Sequence, residues 1–192
     1  MIRPRGQRRG CFSQLAGCLT ILALVIGALY ALDVYLVAPW AHGDGPLLTR
    51  TWVGQFHTPE GRSGTLELKL YHEYSSGRNH QSWDRRGHGL LNGTARSCGL
   101  ATWPRYDLTG SASRSGDDVI IVITPPRPAP AGMYLHELRG SWSGDSLRLS
   151  GVLASYAGTT STYHGGAPDE NQATQFTLHP GTDADFERLC RP

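Results

Sequence analysis

Lysine is all but missing from this chain: Lys69 is the only one, and the other cationic charge is carried by arginine. The formal net charge is just +2, and the four arginines at positions 3, 5, 8 and 9 more than account for it. The chain beyond them is near neutral to slightly acidic. It offers no basic face of the kind that tracks a nucleic-acid backbone, so nucleic acid is excluded as a partner. The usual catalytic spacings are missing too. There is no H-E-x-x-H, no C-x-x-C, no phosphate-cradling G-x-x-x-x-G-K and no G-x-G-x-x-G after a strand. Gly140-Ser141-Trp142-Ser143-Gly144 has the spacing of a nucleophile elbow, but a tryptophan stands where the serine must be. The sequence therefore reads as a non-enzyme without a cofactor.

Histidine is plentiful by comparison, at positions 42, 57, 72, 80, 88, 136, 164 and 179. Those in expected loops (His80, His88 and His164) can converge at one mouth of a barrel. None has the spacing of a metal-ligand set, and no metal is assigned.

One long apolar run is present, Leu15 to Val37, with Asp33 as its sole charge. Such a length reaches across the hydrocarbon core of a bilayer as a helix. Arginines before it and Asp44 after it place the N-terminus in the cytoplasm and the rest outside. Tyr35 and Trp40 fit an interfacial aromatic belt. A cleaved signal peptide is the rival, opposed by the lack of a clean A-x-A site around Ala38-Pro39. Leu15-Ala16-Gly17-Cys18 spells an acylation box, yet the apolar run comes after it instead of preceding it. The expected organisation is a basic cytoplasmic terminus over 1–14, a transmembrane anchor over 15–38, a linker over 39–50 and an extracytoplasmic domain over 51–192. The localisation is a single-pass cell-membrane protein.

Beyond the anchor only Cys98 and Cys190 remain. An even pair outside the cytoplasm is usually oxidised, which predicts a Cys98–Cys190 disulfide pinning the tail to the domain; two free thiols are the alternative.

After residue 50 the apolar pattern alternates with period two. Leu66, Leu68 and Leu70 share one face of a strand over 65–71, and Glu67 and Lys69 occupy a face expected to be wet. Further strands are expected over 51–56, 106–113, 119–124, 134–142, 146–155 and 175–179. Short Gly/Asp connections, Ser115–Asp118 and Ser143–Asp145, join hairpins. Val119 to Ile123 is apolar on both faces and expected to be covered on both. Four segments repeat a leucine and a glycine on one strand face: Leu91/Gly93, Leu108/Gly110, Leu138/Gly140 and Leu149/Gly151. Inward glycines let strands bend and coil, as a closed sheet requires. Pro125 to Gly132 reads as a stiff loop and Gly158 to Ala173 as a polar one. Asn92-Gly93-Thr94 is at once a glycosylation acceptor, a turn signal and part of a strand, and the strand reading is preferred. A final short helix is expected from Thr182 as N-cap to Cys190, with Phe186 and Leu189 facing inward.

The Trp-bearing first strand Thr51-Trp52-Val53-Gly54, the meander of Leu-x-Gly strands and the C-terminal helix resemble the calycin-type barrels, the lipocalins and avidins. The resemblance runs from about Thr51 to Cys190. It implies an all-β fold, an antiparallel up-and-down barrel or strongly curved meander of seven to eight strands, and carries over no ligand residue. Trp52, Leu68, Tyr106 and Leu149 are the expected inward, pocket-lining positions. Two functions are compatible with this: a membrane-tethered module binding a small apolar ligand or lipid, or a structural or protein-interaction domain of the cell envelope with a filled interior. A cavity of several hundred cubic ångströms favours the first, and occupation by those four side chains favours the second.

Overall fold

Alternating residues give most strands after residue 50 one face that must leave water, and a sheet that curls on itself buries those faces at once. The computed structural model describes residues 10–42, 46–59, 61–72, 86–99, 105–124, 132–157, 160–162 and 173–191. It comprises two units, Met1–Leu36 and Val37–Pro192.

The first unit is carried by helix α1, Gly10–Val37, of 28 residues. Leu19, Ile21, Leu22, Leu24, Val25, Ile26 and Leu29 are 49 to 67% exposed along it. Taken over the residues whose side chains are described, no helix is long and apolar enough to cross a membrane.

The second unit opens with a 3₁₀ turn, Pro39–Ala41, and continues with strands β1 (Thr51–His57), β2 (Ser63–His72), β3 (Gly89–Cys98), β4 (Tyr106–Ala112), β5 (Val119–Thr124), β6 (Gly132–Ser143), β7 (Ser146–Ala157), β8 (Thr160–Thr162) and β9 (Thr174–Pro180). Helix α2, Asp183–Cys190, ends it. Each strand from β1 to β7 pairs antiparallel with the next. Strand β9 then lies between β7 and β1 and pairs with both. The result is a closed eight-stranded up-and-down barrel, with β8 added to the far end of β7.

Several expectations are met. Each of the four Leu/Gly pairs lies within a strand, and Asn92 sits mid-strand between Tyr71 and Thr109. The inward glycines are sites of close approach. A Cβ at Gly93 would fall against the Lys69 carbonyl oxygen, and one at Gly140 against that of Arg148. The two hairpin turns use Gly116 and Gly144 at positive φ, 78° and 58°. In β6 the register shifts between Leu135 and Leu138. That irregularity resets the phase, so leucines of opposite parity are both buried.

Other expectations are corrected. The polar stretch over 158–173 contains β8. On β5, Ile120 and Val122 are half-buried, so its outer face is only partly covered. His80 and His164 and the stiff loop over 125–131 lie outside the described residues.

The largest difference concerns the linker. Ala38, Trp40 and Leu48 are all buried, Trp40 at 2% exposure, and belong to the barrel core. The Trp40 indole N–H donates to the Ser113 carbonyl at 3.0 Å, and that of Trp52 donates to the Leu48 carbonyl at 2.8 Å. The Leu48 amide donates to the Trp40 carbonyl at 2.9 Å. These residues form a stopper at the entry end, where β1 begins. Trp40 is thus a core residue, because an indole with a satisfied N–H gains more by sealing an apolar barrel end than by facing water.

Candidate functional site

The four expected lining residues lie on different strands, and the barrel interior brings them together. Trp52 of β1, Leu68 of β2, Tyr106 of β4 and Leu149 of β7 are all buried in one cluster. Phe56 and Phe176 join it with ring centroids 4.9 Å apart. Burial raises the phenol pKa of Tyr106, because an anion there would be stripped of water. A cluster of this kind supplies a hydrophobic core, and it presents apolar side chains where a ligand would need space.

The outer face of β1 to β3 was missed by sequence reasoning. Glu67, expected in water, is 1% exposed. It is covered by α2, which packs across β1 and β2. Arg96 donates to both its oxygens, from Nε at 2.7 Å and from Nη2 at 2.8 Å. That hydrogen bonding raises the pKa of the guanidinium, which also lies 4.3 Å over the Phe186 ring. Lys69 sits 3.9 Å from Glu67 and 2.5 Å from Asp183. The signal available beforehand was only the i, i+2 pairing of Glu67 and Lys69. Alternation says which residues share a face; it does not say what covers them.

Helix α2 is set by its first turn. Thr182 Oγ1 accepts from the Asp185 amide at 3.3 Å, and the Asp185 carboxylate accepts from the Thr182 amide at 2.9 Å. The capping box is therefore complete with aspartate in place of the usual longer acid. Phe186 is buried as expected, whereas Leu189 is 36% exposed. At the end of α2 the predicted Cys98–Cys190 disulfide is present. Beside it lies a groove of about 320 Å³ lined by both cysteines, Gln55, His57, Thr65 and Arg191.

Of the described histidines, His42 and His72 lie at one barrel end and His57 at the other. His42 and His72 meet edge to face with centroids 5.7 Å apart at the entry end, and His72 meets Trp40 at the same separation. His88 Nδ1 is 3.9 Å from Asp118. His57 lies at the opposite end of β1. Among the described residues no three metal-ligating side chains gather into a site.

No protein-family model matches this chain, and no curated protein or solved structure matches it.

Proposed function

We propose that this protein is a membrane-tethered, extracytoplasmic barrel of calycin-like, up-and-down type, with an interior filled by its own side chains. It acts through its rim and outer surface as a structural or interaction domain of the cell envelope. One observation carries the choice of a filled barrel over a ligand-binding one: Trp52, Leu68, Tyr106 and Leu149 belong to a single packed core that the Trp40–Leu48 stopper also joins. Eight strands enclose a space that side chains alone can fill.

Tethering is supported by the apolar run Leu15 to Val37 with arginines before it and by the exposed aliphatic side chains of α1. Leucine and isoleucine in such number are costly in water and favoured in lipid. The extracytoplasmic placement is supported by the Cys98–Cys190 disulfide, since such bonds persist in oxidising compartments.

Two measurements test the proposal. A C-terminal alkaline phosphatase fusion should be active in cells and a β-galactosidase fusion inactive; the reverse pattern overturns the topology. Native mass spectrometry of the full chain released from detergent should give the bare polypeptide mass. A stoichiometric small molecule surviving on the protein would restore the ligand-binding reading.

A further inference from the structure

We propose that α2 is a strap latched by the Cys98–Cys190 disulfide, released with the barrel intact when a dithiol reductant opens that bond. The latch joins the C-terminal helix to the end of β3 and holds whether or not the barrel is an interaction module.

Three features of the structure carry it. The first is access. Both cysteines are half-buried and border the open groove of about 320 Å³ on the outside of the barrel, so a small thiol can reach the sulfurs without the core opening. The second is the weakness of the helix by itself. It has eight residues and one buried side chain, Phe186, and helices below roughly 12 residues are marginal in water. Among the described residues its other side-chain attachments are the Lys69–Asp183 contact, a looser Arg96–Asp183 ion pair at 3.8 Å, the Arg96–Phe186 stacking and a 3.5 Å hydrogen bond from Thr65 to the Leu189 carbonyl. The third is the independence of the barrel. Its ring of strand pairings closes through β9 and β1 without any contribution from α2. Losing the strap removes no rung of the ladder, but it bares Glu67 and Arg96 on the outer sheet face.

Release takes two exchange steps. A thiolate of the dithiol attacks one cystine sulfur, the S–S bond breaks, and the other cysteine leaves as a thiolate that takes a proton. The second sulfur of the dithiol then displaces the first cysteine from the mixed disulfide. The dithiol ends as a cyclic disulfide, having lost two electrons, and its two protons end on Cys98 and Cys190.

Hydrogen exchange read by mass spectrometry on the full chain tests this in three states: oxidised, treated with dithiothreitol in native buffer, and Cys190→Ser. Dithiothreitol should reduce the bond without denaturant, and amides over 183–190 should exchange faster by roughly a factor of 100. Strands β2, β3 and β7 should keep their protection. A bond reducible only in denaturant overturns the proposal, as does a helix still protected in the reduced chain. Loss of strand protection together with that of α2 would show a staple of the whole fold instead of a latch. If Cys190→Ser does not accumulate as folded protein, the reduced natural chain decides alone.

Discussion

Arg96 holds Glu67 with two parallel hydrogen bonds on the outside of the barrel, in a place that α2 keeps almost free of water. The pair is a local solution to burying a carboxylate, and it makes the two residues unequal partners in any mutation. Arg96→Ala leaves a covered anion with only Lys69 nearby and should cost about 3 kcal/mol, the low end for breaking a buried pair. Glu67→Gln should cost less, because an amide keeps a hydrogen-bonding oxygen. Replacing both by Met and Leu should come close to neutral. Urea titration of the three variants checks the ranking, and equal losses for all three would contradict it.

Removing the stopper should be among the most damaging single changes. Trp40→Ala empties one end of the core and should cost about 3–5 kcal/mol. Trp40→Phe keeps most of the volume but loses the bond to the Ser113 carbonyl, which is worth roughly 1 kcal/mol. Thermal unfolding followed by near-ultraviolet circular dichroism separates the two. If Trp40→Ala melts like the parent, Trp40 does not belong to the core in solution.

Gly93→Ala tests the close approach of strands. Its methyl group would meet the Lys69 carbonyl oxygen, part of the paired backbone that cannot rotate away. A loss of about 1–3 kcal/mol is expected from overpacking. Gly27→Ala in α1 meets nothing within 4 Å and should leave barrel unfolding unchanged. Comparable denaturation midpoints for the two variants would count against the tight coiling of β2 on β3.

Acid should loosen α2 before it unfolds the strands. The hydrogen bond from Lys69 holds the Asp183 carboxyl below its ordinary pKa, and those from Thr182 do the same for Asp185. A carboxyl with a lower pKa folded than unfolded stabilises fully above the unfolded value of about 3.9, and this support is lost as pH falls through the folded value. Amide chemical shifts of 183–190 should therefore change below about pH 4 ahead of those of β3. Simultaneous change would tie the helix to the barrel as one cooperative unit.

How much of this was legible beforehand differs by element. The strand around Leu66, Leu68 and Leu70 and the four Leu/Gly pairs were readable because each states its periodicity within a few residues. The disulfide was readable by elimination. Trp52, Leu68, Tyr106 and Leu149 are buried in one cluster, and that they share it could be seen only once the ring was closed. Trp40 was misplaced because a tryptophan after an apolar run looks interfacial until the chain is seen turning back at Leu48. Glu67 was misplaced for a related reason: a strand's pattern records its own two faces and carries no trace of a helix, far later in the chain, that lies across one of them.

The stopper has a practical corollary for anyone producing the outer portion alone. A secreted fragment cut at the glycine-rich stretch before Leu48, where sequence invites the cut, would discard Ala38 and Trp40 and leave a greasy opening at the end of the barrel. Such a fragment should self-associate, whereas one beginning at Val37 carries its own cork and should stay monodisperse.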